Sequence, residues 1–318
     1  MKLELIEAFI AVVDGGSIRA GAKQLNRSQP GLSKKIRALE AELGVPLMVR
    51  SAQGIELTRY GEHFLVRART IVNETQRALT EMDQLRGALD SVVRISVAPA
   101  STVDLIPQTV RLFQHQFPDT RLEIYEGLQA VAVEQLRSGQ IDFAVCPLWE
   151  PLPASEFSTE VLETMAMAVV TNAQSRFATC TTLTELEQAN WIHIGAGASL
   201  SPLVVKVFEA AGLSTPTPTM ECFSLTSTLG FLFASDSLAL LPAKLTQVPQ
   251  YAGHLIRVPI AQGIPCYPLY IIHRKDSPMT LMAGHLATIL TRVAQNNQRL
   301  AGLEAESTKP SPKSAGPE

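Results

Sequence analysis

The sequence predicts an α/β protein in three parts: a short, mostly helical head, one long helix, and a two-lobed body. Apolar residues recur at helical spacing through residues 1–90, interrupted by a single short hairpin pattern. From Ser91 onward apolar strands alternate with amphipathic helices, which indicates an α/β domain with mostly parallel strands. With 318 residues, the chain is long enough for such a division into domains. We expect boundaries at 1–58, 59–90 and 91–303.

The head begins with two predicted helices, Leu3–Val13 and Ile18–Leu25, and two glycines between them provide a helix end. Ser17 is a good N-cap for the second helix, in which Gly21 is small enough for close helix contact. A brief turn then leads to a third helix, Ser28–Leu43, for which Ser28 is the predicted N-cap. Two short helices, a tight turn and a basic following helix predict a helix-turn-helix.

The third predicted helix has two distinct faces. Leucine and isoleucine form one apolar stripe at spacings of four, three and four. The residues of the helix tip and of a different face are Ser28, Gln29, Pro30, Ser33, Lys34 and Arg37. Amides, hydroxyls and cations are the groups that contact base edges and phosphates, so this segment predicts a recognition helix. The alternative is a solvated basic helix in an ordinary helical head.

A small two-stranded wing follows the third helix. Pro46–Arg50 and Ile55–Leu57 have strand-like patterns, and Ser51–Gly54 forms the predicted turn between them. Arg50 and Gln53 would then be placed to contact the DNA backbone or the minor groove. The sequence therefore predicts a winged helix-turn-helix.

The charge distribution agrees with a polyanion partner at one end of the chain. Residues 1–60 carry nine Lys and Arg against six Asp and Glu, a net charge of +3, and the remainder carries −6. Chance fluctuation is the alternative. Glu4 and Glu7 interrupt any signal-peptide core, and no run of about 18 apolar residues appears. We therefore expect a cytoplasmic location and no membrane partner.

The four cysteines are widely spaced and form no CxxC pair, so we expect buried, inert thiols and no metal or other cofactor. His193 and His273 fall in predicted strands, where a core position is the more common role.

The head carries a specific ordered string of residues: Phe9, Val13, Gly16, Ser17, Ala20, Ala22, Leu25, Ser28, Gln29, Pro30, Leu32, Ser33, Ile36, Leu39, Glu40, Leu43, Gly44, Leu47, Arg50, Leu57, Thr58 and Gly61. Through this string, residues 1–75 resemble the head of a LysR-type transcriptional regulator. Gly31 and Met48 depart from the family pattern, which usually has Ala and Phe at these places.

The resemblance implies roles for individual residues. Gln29 would hydrogen-bond bases and Pro30 would contact a thymine methyl group. Ser33, Lys34 and Arg37 would hold base edges or phosphates, and Arg50 would serve the wing.

The long helix is predicted from Thr58, its N-cap, to about Leu89. Apolar and small residues along it repeat at alternating steps of four and three, the spacing of a coiled-coil seam. An amphipathic helix lying on its own domain is the alternative. The family resemblance implies a homodimer or homotetramer through this helix, and hence a pseudo-palindromic DNA site. The predicted dimerisation residues are Ile71, Thr75, Ala78, Met82, Leu85 and Leu89.

The first lobe of the body should contain three strands and two helices before the chain crosses to a second lobe near Met165. These elements are Val92–Val97, Ser101–Phe117 (helix), Arg121–Tyr125, Ala130–Ser138 (helix) and Ile141–Cys146. Landmarks such as Phe117-Pro118, Gly139 and Asp142 resemble the effector domain of the same family, which implies the fold of periplasmic solute-binding proteins.

The second lobe, about 165–265, should contain three further strands, after which the chain returns to the first lobe, about 91–164 and 266–303. The remaining elements are Met167–Thr171, Trp191–Ile194, Leu238–Leu241, Cys266–Ile272 and the helix Met279–Ala294. Beyond Leu303 the composition predicts a disordered tail, 304–318.

Two crossings between lobes make a cleft, where small ligands bind. Strand ends and helix N-termini favour anions, so we expect an anionic organic effector. The four stretches at such places contain no Lys or Arg, so N–H groups and hydroxyls would hold the anion without an ion pair; they are Ala98–Thr102, Glu126–Gln129, Gly195–Ser201 and Cys222–Thr226. Capping is the alternative role for each serine and threonine. The predicted effector-binding residues are Ser101, Thr102, Gly127, Thr171, Gly197, Ser199, Phe223 and Ser224.

Three functional classes fit this fold: a ligand-responsive transcriptional regulator, a solute-binding protein, and an enzyme. The absent signal peptide disfavours the second. For the third, Gly195–Ser199 matches neither a nucleophile elbow nor a P-loop, so we expect no enzyme. The predicted partners are double-stranded DNA, a small-molecule effector, further copies of the chain, and RNA polymerase.

Overall fold

The computed structural model of the chain describes residues 1–51, 54–86, 91–194 and 202–307. It confirms the predicted α/β class, with a helical head, a long helix and two five-stranded sheets. The chain folds into two compact units, residues 1–91 with 133–142, and the remainder.

Three helices and a hairpin form the head, followed by the long helix. Each predicted cap is present: Ser17, Ser28 and Thr58 accept hydrogen bonds from the backbone N–H three residues later, at 3.1, 3.3 and 3.1 Å. The elements are α1 (Leu3–Asp14), α2 (Ile18–Gln24), α3 (Gln29–Leu43), β1 (Met48–Ser51), β2 (Gly54–Leu57) and α4 (Arg59–Leu85). The strands β1 and β2 pair antiparallel, as the wing prediction requires.

The head is held together by one apolar core, which includes the stripe predicted on α3. Leu32, Ile36 and Leu39 are buried and belong to the same cluster as Phe9. Gly21 lies where α1 and α2 meet. A Cβ there would be only 2.7 Å from the carbonyl oxygen of Ala11, so this contact requires glycine.

The first sheet of the body combines strands from the beginning and from the end of the domain. Its strands are β3 (Val92–Val97), β4 (Arg121–Glu126), β5 (Phe143–Pro147), β6 (Phe157–Met165) and β12 (Tyr267–Arg274). The order is β4-β3-β5-β12-β6, with β3 parallel to β4 and β5, and β12 antiparallel to β5 and β6. The helices of this lobe are α5 (Leu105–Gln116), α6 (Gln129–Arg137) and α9 (Leu281–Ser307).

The second sheet is built from the intervening chain. Its elements are β7 (Met167–Asn172), β8 (Asn190–Ile194), α7 (Pro202–Ala210), β9 (Met220–Cys222), α8 (Leu225–Ala234), β10 (Ser237–Pro242) and β11 (Leu255–Arg257). The order is β11-β7-β10-β8-β9, in which β8 is parallel to its neighbours and β7 antiparallel to its own. Both sheets are mixed, but among the described residues only β12 in the first sheet and β7 in the second run against the other four strands, so the expectation of mostly parallel strands is confirmed.

Several element boundaries differ from the prediction. The predicted helix Ser101–Phe117 is a short 3-10 turn, Pro99–Val103, followed by α5. Pro107 explains the break, because proline lacks an N–H and is tolerated in the first turn of a helix but not in its interior. Helix α9 extends to Ser307, past the predicted domain end, and residues 308–318 of the predicted tail lie outside the described residues.

The cysteines do not all match the expectation of buried thiols. Cys146 and Cys222 are buried, whereas Cys180 is partly exposed and Cys266 is exposed. Burial raises the pKa of the Cys146 thiol to about 12, so this group stays protonated. No helix in the described part of the chain combines the length and apolar character that a membrane crossing requires.

Candidate functional site

A groove runs between α3 and the hairpin of the head, with a volume of about 1080 Å³ that includes space open to solvent. From α3, four of the predicted DNA-contacting residues line it: Gln29, Pro30, Ser33 and Arg37. On the other side the groove is lined by Met48, Val49 and Ile55 of the hairpin. The structure thus brings one amide, one hydroxyl, one cation and one apolar ring to a single concave surface.

The two adjacent lysines of α3 differ in their surroundings. The Nζ atom of Lys35 lies 2.7 Å from the Glu4 carboxylate, and this hydrogen bond lowers the pKa of Glu4. Lys34 is exposed, and no acidic group among the described residues lies within ion-pair distance of it. Lys34 is therefore the one of the pair that is available to a phosphate.

Parts of the predicted DNA surface have other roles or cannot be described. Ser28 is exposed and caps α3, as the sequence predicts. Arg50 has its backbone in β1, while its side chain and Gln53 lie outside the described residues. The wing contacts of Arg50 and Gln53 stay predictions.

Helix α4 presents an exposed apolar face in the single chain. Ile71, Met82 and Leu85 are 38, 50 and 79% exposed, and Ala78 is exposed as well. Thr75 is partly buried, and its hydroxyl donates to the carbonyl oxygen of Ile71 at 2.8 Å. Leu89, the last predicted seam residue, lies outside the described residues.

The body contains a cavity between its two sheets, with about 780 Å³ of space that is partly open to solvent. Residues from the first lobe that line it include Ala98, Pro99, Leu128, Pro147, Trp149 and Tyr267. The second lobe contributes mainly Met167, Ile192, His193, Ile194, Leu240 and Leu241. The lining is predominantly aliphatic and aromatic, as is usual for sites that bind small organic molecules.

An aromatic pair forms one wall of this cavity. The rings of Trp149 and Tyr267 have centroids 4.5 Å apart and are tilted by 38°. Gln129 fixes the loop that carries Trp149: its Oε1 accepts from the Trp149 N–H at 2.6 Å and from the Glu150 N–H at 3.2 Å. Its Nε2 donates to the Glu150 carbonyl oxygen at 2.8 Å, so both the oxygen and the nitrogen of the side-chain amide hold this loop.

Two polar side chains line the otherwise apolar cavity. The hydroxyl of Tyr267 is buried and has no hydrogen-bond partner among the described residues, and burial raises its pKa. His193 is partly buried, and desolvation lowers its pKa while Glu221 on the adjacent strand opposes the shift. The imidazole is therefore neutral at neutral pH.

The predicted effector-binding hydroxyls are mostly engaged with the backbone. Thr102 donates to the Pro99 carbonyl oxygen at 2.6 Å, and the buried Thr171 donates to that of Ser237 at 2.8 Å. Ser224 caps α8, accepting from the Ser227 N–H at 3.1 Å. Ser101 is buried, with a hydroxyl that lacks a partner among the described residues.

The other predicted effector-binding residues are not brought together. Phe223 is 74% exposed, Gly127 donates its N–H to the Val97 carbonyl oxygen, and Gly197 and Ser199 lie outside the described residues. None of the described members of the set lines the cavity, so their contact with an effector stays a prediction.

Sequence reasoning missed Trp149 and Tyr267. The available signal was position, since Trp149 follows a buried strand and Tyr267 begins the strand that returns to the first lobe. The described residues contain no cluster of three His, Cys, Asp or Glu suited to a metal ion.

Comparison with known proteins gives matches along most of the chain. Residues 3–62 match the family model of the bacterial regulatory helix-turn-helix protein, lysR family, and residues 86–295 match that of the LysR substrate binding domain. The transcriptional regulator GbpR of Azospirillum brasilense is 27% identical over 304 residues, covering 95% of this chain and 89% of GbpR. The Hca operon transcriptional activator HcaR of Escherichia coli K12 is 26% identical, covering 92% of this chain and 99% of HcaR.

Solved structures show the same fold. The crystal structure of CbnR, a LysR family transcriptional regulator, superposes with a TM-score of 0.71 at 21% identity, covering 92% of this chain and 99% of CbnR. Full-length CbnR in complex with its target DNA superposes with a TM-score of 0.69 at 22% identity, covering 92% of this chain and 100% of CbnR.

Proposed function

Because this chain belongs to the LysR family of DNA-binding transcriptional regulators, we propose that it binds pseudo-palindromic promoter sites as a dimer or tetramer and responds to a small organic effector. The relatives are named as transcriptional regulators, so the chain is a regulator and not an enzyme. The domains we propose are the head at 1–58, the linker helix at 59–90 and the effector-binding domain at 91–303.

The observation that carries the DNA-binding part is the groove beside α3. Gln29 and Pro30 lie at the exposed start of the helix, where an amide can pair with a base edge and a proline ring can contact a thymine methyl group. Ser33 and Arg37 continue the same surface, with Lys34 beside it. We assign base contacts to Gln29 and Pro30, and a phosphate contact to Lys34.

The oligomeric part is supported by α4. Exposure of an apolar face to water is unfavourable. Pairing with the same helix of a second copy covers this face of α4 and thereby stabilises the dimer. A twofold dimer then presents two α3 helices to successive major grooves of a pseudo-palindrome.

The effector part is supported by the cavity between the lobes. A ligand that binds one lobe arrangement more tightly than another shifts the population, and this changes how dimers pack and how the DNA bends. For transcription to change, we propose RNA polymerase as the further partner. Helix N-termini and hydroxyls in the sequence led us to expect an anionic effector. A binding experiment has to compare this anionic class with uncharged ligands.

Three α3 variants test the DNA-binding assignment, with binding to a specific promoter fragment and to random DNA measured over a range of salt concentrations. Gln29→Ala should relax sequence preference, reducing discrimination by a factor that corresponds to about 1–3 kcal/mol. Lys34→Ala should weaken binding to all sequences and reduce the salt slope by about 1.

Lys35→Ala is the matched control, because Lys35 is paired with Glu4 and should leave the salt slope nearly unchanged. If Gln29→Ala and Lys34→Ala bound both DNAs like the wild type, this helix would not be the recognition helix.

A further inference from the structure

We propose that the cavity between the lobes takes an uncharged, planar aromatic molecule that carries a hydrogen-bond acceptor, rather than an organic anion. This inference rests on the proposed function, because it names the class of effector for that regulator. It depends on the side chains that line the cavity, on the charges around it, and on the wall formed by Trp149 and Tyr267.

The charges favour a neutral ligand. The described residues that line the cavity include no Lys or Arg, and their one titratable base, His193, is neutral at neutral pH. A carboxylate buried among aliphatic side chains without a cationic partner loses more hydration energy than it regains.

Glu221 and Lys244, two charged residues close to lining residues, do not reverse this preference. Glu221 lies beside His193 on the neighbouring strand, and its charge repels an anion. Lys244 follows a lining residue in sequence, but its ammonium group is paired with the carboxylate of Asp104 and also faces Glu163. The Asp104 carboxylate thus neutralises the Lys244 ammonium group, and this pair offers a ligand no net positive charge.

The shape of the wall favours a planar ring. Three hydrogen bonds from Gln129 fix the backbone of residues 149 and 150, and the Trp149 ring packs on the Tyr267 ring, so little ordering of this wall is needed when a ligand binds. Trp149 and Tyr267 together offer a rigid aromatic surface, against which another aromatic ring packs offset or edge-on.

Tyr267 carries a buried hydroxyl that has no hydrogen-bond partner among the described residues, and such a group costs free energy. Its oxygen has almost no accessible surface, so a ligand carbonyl can accept from it only after the Tyr267 ring or a neighbouring side chain moves, and such a bond would recover this cost. A neutral carbonyl can do this without the desolvation cost of a carboxylate.

The two tryptophans of the chain provide a site-specific readout. Trp149 lines the cavity, whereas Trp191 is fully buried in the core of the second lobe. In full-length protein labelled with 5-fluorotryptophan, fluorine NMR should show one resonance for each, and Trp149→Phe assigns them. A ligand in the cavity shifts the Trp149 resonance, while the Trp191 resonance serves as an internal control.

Three matched probes separate charge from shape: acetophenone, benzoate and cyclohexyl methyl ketone. We expect acetophenone to shift Trp149 saturably with a Kd of about 1 mM, as befits a one-ring fragment. Benzoate should bind at least about tenfold more weakly because its charge must be desolvated. Cyclohexyl methyl ketone should bind several-fold more weakly, because it keeps the acceptor but not the planar ring.

Each opposite result overturns a stated part of the proposal. Benzoate binding as tightly as acetophenone would exclude the preference for a neutral ligand, and equal binding of the two ketones would exclude the preference for a planar ring. If neither ketone shifted Trp149 at millimolar concentration, the cavity would not be an aromatic site.

Tyr267→Phe tests the hydrogen bond separately. This variant should weaken acetophenone by about 2- to 10-fold and leave toluene, which lacks an acceptor, unchanged. Tyr270→Phe removes the same group from the same strand but outside the cavity lining, and should affect neither probe. Equal effects on acetophenone and toluene would show a structural role for the Tyr267 hydroxyl and refute the hydrogen bond.

These results are independent of DNA binding. Tight benzoate binding would leave a ligand-responsive regulator with an anionic effector, so only the inferred ligand class would fail. If instead the α3 variants did not change DNA binding, the proposed function would fail even with acetophenone bound in the cavity.

Discussion

At Gly61 the start of α4 passes very close to the chain that enters the wing. A Cβ at this position would lie 1.9 Å from the carbonyl oxygen of Leu47, a backbone atom that cannot move away by side-chain rotation. The Gly61 N–H also bonds to the Thr58 hydroxyl that caps α4. We therefore expect Gly61→Ala to lower the free energy of unfolding by about 2–3 kcal/mol, measured by urea denaturation followed by far-UV circular dichroism.

Gly230→Ala is the matched control, since Gly230 is an exposed helical residue whose Cβ would meet nothing within 4 Å. It should stabilise the chain by up to about 1 kcal/mol, because alanine has the higher helix propensity. A Gly61→Ala variant as stable as the wild type would contradict the close approach.

Single residues also show what a sequence can and cannot reveal. The polar face of α3, its caps and its buried stripe follow from spacing, and all are present in the structure. The difference between Lys34 and Lys35 does not, because it depends on Glu4, a residue in another helix. Likewise, the wall of the cavity joins Trp149 to Tyr267, which no local pattern connects.

At the scale of elements, α4 carries more exposed apolar surface than one chain can cover. Leu85 belongs to the predicted seam and Leu79 does not, although both are well exposed, at 79% and 55%. Leu85→Glu should therefore shift the protein from dimer toward monomer in sedimentation velocity, because it places two carboxylates in the seam.

Leu79→Glu makes the same change on the same helix outside the predicted seam and should leave the dimer intact. Dissociation by Leu79→Glu but not by Leu85→Glu would mean that a different face of α4 forms the interface.

The elements that sequence analysis located share a strong pattern over many residues. The helices of the head and the buried strands β3, β7 and β10 are examples, with predicted and observed bounds that nearly coincide. The missed strands β9 and β11 have three residues each, too few for any periodicity. Strand β6 was missed because it is largely exposed and rich in Thr and Glu, so its identity depends on pairing with β12.

At the scale of the whole body, a small charged cluster joins the two lobes beside the cavity. Asp104 follows the first turn of the first lobe, Lys244 follows β10 of the second, and the two are ion-paired. Glu163 on β6 lies near both groups. Burial has the largest effect on its pKa and raises it, whereas the charge of Lys244 lowers the pKa and the charge of Asp104 raises it. Folding therefore favours the protonated form of Glu163 relative to the unfolded chain.

This cluster gives the stability of the body a pH dependence. The pKa of Glu163 in the folded state lies above the ordinary value of 4.5. The stabilisation that this group contributes is therefore complete below its pKa in the unfolded chain and is lost as the pH rises through its pKa in the folded state. Glu163→Gln should match the wild type at low pH and exceed its Tm by up to about 3 °C at neutral pH, a modest gain because the side chain is partly solvated.

Glu160→Gln, an exposed change on the same strand, controls for the lost charge and should show no such pH-dependent gain in Tm. A Glu163→Gln variant that lost Tm at neutral pH would mean that attraction to Lys244 outweighs desolvation.

The position of β12 between β5 and β6 has a consequence for how the protein is made. The second lobe is one continuous stretch, and every one of its strands leaves the ribosome before β12 does. Until Arg274 has emerged, β5 and β6 each have an unpaired edge, and the first lobe cannot close its sheet. The second lobe can therefore complete its sheet first, and a nascent chain stalled before β12 would expose two edges that invite aggregation.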